Sequence, residues 1–217
     1  MFPDQKYLSE LIQRQQAKID AQFDVPSRLL MTSGALLNWV ADFVLDPMVS
    51  WERRIFKVDE LTLTGTNPEW NAIILDDCHR SPKELCQWFH VHADRAEIFS
   101  TAKDDTFPIL VRRDGEVWKV LDGMHRVIAA IRDGQNEMTV FAGTPGPESK
   151  PVCEPHVIYD LIRAFERGGA KDGPALVTAL RFLRQTYSNV DALLRDRFNP
   201  QWVRDDKVSP IIAEALK

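Results

Sequence analysis

The 217-residue chain has little cysteine and no sequence typical of secretion. Cys78, Cys86 and Cys153 are odd in number and lack the spacing of a disulfide framework, so we expect reduced thiols. Residues 1–6 do not show the basic-then-apolar order of a secretory signal. Both observations favour a cytoplasmic protein.

Long hydrophobic runs and a strong net charge are also absent. The longest apolar run, residues 29–45, contains Asn38 and Asp42 and predicts a core helix rather than a membrane span. The formal net charge is −5, from 27 basic and 32 acidic residues. Such a surface leaves room only for a local basic patch, so neither a membrane nor DNA is a favoured partner.

The pattern of apolar residues divides the chain into three parts. Residues 1–50 predict an N-terminal helical arm, with an amphipathic helix over 4–23 and a second helix over 27–45. Residues 51–147 mix strand and helix signals and predict a compact domain. Residues 152–217 follow a proline-rich linker and show only helical patterns, at about 156–167, 174–187, 189–198 and 209–216. The predicted class is α+β, with a small mixed sheet flanked by N- and C-terminal helical segments.

Local signals predict the order of elements within the central domain. A capping box, Ser81 to Glu84, starts a helix that ends near residue 93. Asp114-Gly115 predicts a hairpin, and a further helix runs from Met124 to a left-handed cap at Gly134. Strands are predicted at 56–63, 72–75, 108–112, 117–121 and 138–142.

The most informative stretch runs from Val120 to Ala130. It predicts a buried strand, a tight glycine turn and a helix whose first residues include His125 and Arg126. Because a helix start exposes backbone N–H groups and carries partial positive charge, we expect a site for phosphate or another anion. Asp122, just before the turn, has two interpretations. It caps the helix, or it serves as a general base or magnesium ligand beside a bound phosphate.

This stretch and the preceding hairpin resemble the core of the ParB/sulfiredoxin superfamily, in which a "DGxHRxxAA"-type turn opens a helix. Phe56 to Leu63 is similar to the first strand of such domains, often written "xVDEL". The resemblance covers about residues 55–143. It implies that a nucleotide binds at the turn. ParB proteins bind CTP and DNA, sulfiredoxins use ATP to repair an oxidised cysteine, and a free serine kinase transfers phosphate from ADP.

By position, the resemblance implies that Gly123, Met124, His125 and Arg126 cradle the phosphates of ATP or another nucleotide, with Mg²⁺ as a companion ion. Asp122 matches an acidic residue at the active site of the serine kinase. Glu60 is expected near the nucleotide, because first-strand acids lie there in related folds. Both acids are therefore candidate catalytic residues.

The chain departs from each branch of the superfamily at Met124 or His125. Sulfiredoxin has its reactive cysteine where this chain has Met124, and a thioether cannot form a thiolate nucleophile. The "GERR" box of ParB is absent, because Met124-His125 stands where Glu-Arg would be. The serine kinase pattern, aspartate-glycine-histidine-threonine-arginine, places its histidine one position earlier.

Two other groups of residues have functional interpretations that we consider weaker. Five potential metal ligands lie within fifteen residues, but without a paired Cys-x-x-Cys they favour a packed helix face: Cys78, His79, Cys86, His90 and His92. Residues 176–195 have the length of a helix-turn-helix, but the turn between the two helices lacks glycine. Four arginines there could contact phosphates, but nearby aspartates reduce the positive charge: Arg181, Arg184, Arg195 and Arg197. No metal site is predicted.

Two classes of function follow. The first is a nucleotide-dependent phosphotransferase or NTPase acting on a small molecule, since phosphoryl transfer needs mainly positioning and charge neutralisation. The second is a non-catalytic, nucleotide-gated regulator that binds DNA or a protein partner through the C-terminal helices. A closed pocket lined by Asp122 and Glu60 would favour the enzyme, and a continuous basic face over the four arginines would favour the regulator.

Overall fold

The computed structural model describes residues 3–22, 44, 46–65, 68–99, 108–168, 172–197 and 208–217. The chain divides into two compact units, residues 1–5 with 50–147 and residues 6–49 with 148–217. The predicted second helix over 27–45 falls almost wholly outside the described residues. The division into an arm, a central domain and a C-terminal module stays a prediction.

The first unit is built on a five-stranded mixed sheet, which confirms the α+β class. The strands are β1 (Val49–Lys57), β2 (Leu61–Thr62), β3 (Leu110–Asp114), β4 (Val117–Asp122) and β5 (Glu137–Pro145). Their order is β1-β5-β3-β4-β2. Strand β3 pairs antiparallel with β4 and parallel with β5, and β2 runs parallel to β4 at one edge.

The described structure also contains a 3₁₀ helix, Ala93–Phe99, and a set of α-helices. They are α1 (Pro3–Gln22), α2 (Pro68–Asn71), α3 (Pro82–Val91), α4 (Met124–Arg132), α5 (Pro155–Gly168), α6 (Gly173–Thr186), α7 (Val190–Ala192) and α8 (Val208–Ala215). Two π-helical stretches, Ala72–Asp77 and Leu193–Arg197, continue α2 and α7. In the described ranges no helix is long and apolar enough to cross a bilayer.

The predicted single strand over 56–63 is wrong. Strand β1 ends at Lys57, and a 3₁₀ turn, Val58–Glu60, separates it from β2. Val58 and Leu61 are both buried although they are three residues apart. That spacing suits a 3₁₀ turn, which has three residues per turn, and not a strand, in which buried residues alternate.

The predicted strand over 72–75 is also wrong, because these residues belong to the π-helical stretch. Ile73 and Ile74 are adjacent and both buried, whereas neighbouring residues in a strand point to opposite faces. A four-residue apolar run does not distinguish a buried strand from a buried helix turn.

The remaining local predictions of the first unit are confirmed. The Asp114-Gly115 hairpin forms with Gly115 at a φ of 60°, and Gly134 follows α4 at a φ of 69°. One face of the sheet packs against α3 and α4, through Val111 and Val120 on the sheet and Leu85 and Ile128 on the helices. The core therefore fixes where α4 begins relative to the end of β4.

The capping box at the start of α3 forms as predicted, since the Ser81 side chain accepts a hydrogen bond from the Glu84 N–H at 3.3 Å. We expect Ser81→Ala to lower the free energy of unfolding by about 1 kcal/mol, because one helix N–H loses its partner. Thr178→Ala is the control, because its hydroxyl bonds the Pro174 carbonyl within α6 and alanine is the better helix former. Urea denaturation measures both, and equal effects would contradict a capping role.

The described part of residues 148–217 confirms the predicted helices near 156–167, 174–187 and 209–216. The helix predicted over 189–198 is the three-residue α7 followed by the π-helical stretch. Helix α6 packs on α5 and α8. Asn189 is fully buried, and its side-chain amide replaces a backbone partner for Cys153, accepting from the N–H at 2.8 Å and donating to the carbonyl at 3.0 Å. This pair of bonds fixes the segment that leads into α5 against the turn that precedes α7.

Candidate functional site

The turn between β4 and α4 requires glycine at position 123. Gly123 has a φ of 90°, in the left-handed region, and is the N-cap of α4. A Cβ atom there would lie 2.9 Å from both Ile109 Cγ1 and Arg126 Nη2. The Gly123 carbonyl accepts from the N–H groups of Arg126 and Val127, at 2.9 and 3.0 Å. The Arg126 guanidinium is therefore folded back over the start of its own helix.

Asp122 holds that guanidinium in place. Its Oδ2 accepts a hydrogen bond from Arg126 Nη2 at 3.3 Å, and the two side chains are 21% and 19% exposed. The N-cap interpretation of Asp122 is wrong, because Gly123 takes that position and, among the described residues, no side chain caps α4. The partly buried carboxylate and guanidinium thus form an ion pair at the end of the sheet.

His125 lies beside Arg126 in the first turn of α4, and its side chain is exposed. Its ring centroid is 4.4 Å from that of Trp70, with 54° between the ring planes. The indole is buried and its Nε1 donates to the Ile98 carbonyl at 3.0 Å. Because this hydrogen bond holds the indole in place, the exposed imidazole packs against a surface of fixed position.

Met124 contributes to the site differently from its neighbours. Its side chain is 5% exposed and packs in the core with Val127 and Ile128. The part of Met124 that remains for a phosphate is its backbone N–H, which belongs to the first turn of α4 and has no acceptor within the helix.

The structure does not bring Glu60 together with Asp122. Glu60 is exposed in the 3₁₀ turn before β2, and Leu61 lies opposite Trp118 near the start of β4. Asp122 ends β4 four residues later, which is about 13 Å along a strand. The residue that reaches the end of β4 is Thr64, whose Oγ1 donates to the Val120 carbonyl at 2.7 Å. Sequence reasoning missed Thr64, because only the register of β2 on β4 reveals it.

Asp59, the acid next to Glu60, lies away from the β4–α4 turn. Asp59 lines a cleft of about 410 Å³ with Lys57, Lys83 and, from the C-terminal end of α4, Ile131. That cleft is therefore at the opposite end of α4 from the turn. Asp76 and Asp77 are exposed at the end of the π-helical stretch.

The cysteines and histidines around α3 make contacts with their own neighbours or are buried in the core. His92 stacks on Trp88 at 4.7 Å, and His90 Nδ1 lies 2.7 Å from the Cys86 carbonyl oxygen. Burial, with a smaller contribution from the Asp77 carboxylate, raises the pKa of Cys78 to about 11. Its thiol is therefore protonated at neutral pH and a poor nucleophile. Within the described ranges no three His, Cys, Asp or Glu side chains form a group that could hold a metal ion.

Among the described side chains, the continuous basic face of the second hypothesis is interrupted, because two of the C-terminal arginines are paired with carboxylates. Arg181 pairs with Glu214 at 2.9 Å, and Arg184 pairs with Asp191. Arg195 is exposed, and the side chain of Arg197 lies outside what the structure describes. Helix α7 has three residues and its apolar side chains are buried, unlike a recognition helix, which must be exposed to enter a DNA groove.

Compared with protein-family models, with curated proteins and with solved structures, the chain gives no match. A functional assignment therefore rests on the residues of the β4–α4 turn and on their geometry. They place the Arg126–Asp122 ion pair at a helix N-terminus, and the next residue along, His125, has an exposed imidazole that packs on Trp70. Such a set neutralises the charge of a phosphate group and provides a carboxylate beside it.

Proposed function

We propose that the chain is a nucleotide-binding protein with a ParB/sulfiredoxin-like core, and that it acts as a nucleotide-dependent phosphotransferase or NTPase on a small molecule. The observation that carries the proposal is the Arg126 guanidinium, which is held over Gly123 at the start of α4 by Asp122. The order of hairpin, glycine turn and helix supports the same assignment, because it is the order that the resemblance implies.

Each residue of the turn has a distinct role in this proposal. Arg126 and the first N–H groups of α4 bind phosphate oxygens, and His125 adds a donor from its position against Trp70. Asp122 supplies the carboxylate that either accepts a proton from the substrate or binds Mg²⁺ together with the phosphates. One carboxylate fits Mg²⁺, which is commonly held by one or two carboxylates and by the nucleotide itself. Glu60 has no role, because it lies near the other end of β4.

When a phosphate binds, Arg126 must bind the phosphate as well as Asp122. In the ligand-free molecule the carboxylate neutralises the guanidinium. When a nucleotide enters with Mg²⁺, the guanidinium gains phosphate oxygens as partners and the carboxylate gains a cation. Charge is then balanced on both sides, so the site is expected to bind the magnesium complex more tightly than the nucleotide alone.

The regulator is the weaker alternative. It needs a surface on the C-terminal helices that attracts a nucleic acid or an acidic partner. Arg181 and Arg184 line a concave cleft, and the apolar side chains of α7 are buried, so neither offers the exposed helix face that enters a DNA groove. Turnover of a nucleotide by the isolated protein would distinguish the enzyme from the regulator, which binds without consuming its ligand.

Nucleotide binding is tested by thermal unfolding with nucleoside di- and triphosphates, with and without Mg²⁺. At 100 times its Kd a ligand stabilises the native state by about 2.7 kcal/mol, which for a chain of this size raises the Tm by about 5–10 °C. We expect such a rise in the wild type and a clearly smaller one in Arg126→Ala, each compared with its own ligand-free Tm.

Arg132→Ala is the matched control. Arg132 is the last residue of the same helix and pairs with Asp133 at 3.0 Å, so its removal changes the net charge equally at the far end of α4. We expect it to keep the full ligand-induced rise. A wild type that no nucleotide stabilises, or an Arg126→Ala variant that keeps the rise, would overturn the proposal.

A further inference from the structure

The second unit contains a polar cleft of about 770 Å³, formed where the C-terminal end of α6 meets the turn before α7. Four basic side chains line it: Lys150, Arg181, Arg184 and Lys217. Among the described lining residues Asp191 is the single acid, and Tyr187 adds an aromatic ring. None of these residues belongs to the β4–α4 turn, so the cleft is independent of the proposed nucleotide site.

The positive side chains of this cleft outnumber the negative ones. Asp191 is hydrogen-bonded by Arg184, and the charges of Arg195 and Lys150 also reach it, so its pKa lies below the usual value for aspartate. Glu214 is shared by Arg181 and Lys217, at 2.9 and 2.7 Å. Among the described side chains, four lining cations therefore face two carboxylates, in a chain whose net charge is −5. Charge of one sign concentrated in a concave surface attracts ligands of the other sign.

The guanidinium groups of the cleft are held in fixed positions. Arg184 is bound on one side by both carboxylate oxygens of Asp191 and on the other by the Ala215 carbonyl. Arg181 Nη2 donates to the side chain and to the carbonyl of Glu214, both at 2.9 Å. Donors that are already ordered lose little entropy when a ligand arrives, which favours affinity.

We propose that this cleft binds a small organic molecule that carries two or more phosphate groups. Arg181 bonds Glu214 through Nη2, so its Nε–H and Nη1–H groups are the donors for a pair of phosphate oxygens, and the volume is that of a small-molecule site. The ring of Tyr187 offers a surface for the organic part. A nucleic acid fits less well, because its ligand groups would have to enter a concave cleft.

Isothermal titration with tripolyphosphate tests the proposal on the full chain carrying Arg126→Ala, which removes the contribution of the turn. We expect saturable binding of one equivalent that weakens as salt is raised. The double variant Arg181→Gln/Lys217→Gln removes two of the four cations and is expected to weaken binding at least tenfold. The control, Arg163→Gln/Arg167→Gln, removes the same charge from exposed positions on α5 in the same unit and should change the affinity less than twofold.

A second variant tests whether weaker tripolyphosphate binding by the double variant results from loss of folding. Glu214→Gln removes an opposing carboxylate, and we expect it to tighten tripolyphosphate binding at least threefold. No binding by the Arg126→Ala chain, equal weakening in both double variants, or unchanged affinity in Glu214→Gln would overturn the proposal. Tighter binding of a single-stranded oligonucleotide than of tripolyphosphate would overturn it in favour of a nucleic-acid surface. Because every arm carries Arg126→Ala, these outcomes are separate from those that test the nucleotide site.

Discussion

Gly123→Ala is expected to lower the free energy of unfolding by about 3 kcal/mol. An L-residue in the left-handed region costs about 1–2 kcal/mol, and an added methyl group in a filled site costs about 1–3 kcal/mol more. Both terms apply, because Gly123 has a φ of 90° and its Cβ would lie 2.9 Å from Ile109 Cγ1. The clash with Arg126 Nη2 is relieved more easily, since a side-chain end can move, but relief displaces the guanidinium from the start of α4.

Two other glycines serve as controls for the conformational term alone. Gly115 and Gly134 have φ values of 60° and 69°, and a Cβ at either would meet nothing within 4 Å. Their alanine variants should therefore lose only the conformational contribution, about 1–2 kcal/mol each, as measured by urea denaturation. If Gly123→Ala costs no more than these two, the close packing around the turn is not a constraint on the site.

The second large effect is expected for Asp122→Asn. The substitution keeps the size of the side chain and removes its charge, so the proposed proton acceptor or magnesium ligand is lost. We expect nucleotide turnover to fall by at least about 100-fold, the lower end of what a positioned acid or base contributes. The affinity for the magnesium-free nucleotide should stay the same or rise, because Arg126 no longer shares its charge with a carboxylate.

Initial rates of nucleotide consumption and calorimetric affinities measure the two effects separately. Asp133→Asn is the matched control, since Asp133 pairs with Arg132 at the other end of α4, and it should leave both quantities unchanged. Turnover and affinity that fall together in Asp122→Asn would show that the carboxylate only positions Arg126. Undiminished turnover would remove Asp122 from the chemistry.

The elements that the sequence predicted correctly are those with a local signal. Ser81 and Glu84 lie three residues apart, and Asp114-Gly115 forms its turn within two residues, so neither depends on distant parts of the chain. The two incorrect strands, 56–63 and 72–75, lacked such a signal. Their apolar residues are buried in a 3₁₀ turn and a π-helical stretch because of what packs on them, which a short window does not contain.

The same distinction applies to the site. Asp122, Gly123, His125 and Arg126 are neighbours in the chain, and an i, i+4 pair on one side of a turn is predictable from spacing. The contact of His125 with Trp70 joins residues 55 positions apart, so no local pattern reveals it. Glu60 was expected near Asp122 because first-strand acids lie near the nucleotide in related folds. The parallel register of β2 on β4 separates them, and register is set by long-range pairing.

The position of β1 in the sheet has a consequence for how the chain is made. Strand β1 pairs with β5, yet β1 ends at Lys57 and β5 begins at Glu137, eighty residues later. At about 5–20 residues per second a ribosome takes several seconds to cover that distance. During this interval Trp51 and Phe56, both buried in the finished molecule, have no completed sheet to enter. Until β5 has been synthesised, the nine-residue strand β1 has no partner strand. We expect chaperones to matter most for this chain at that stage.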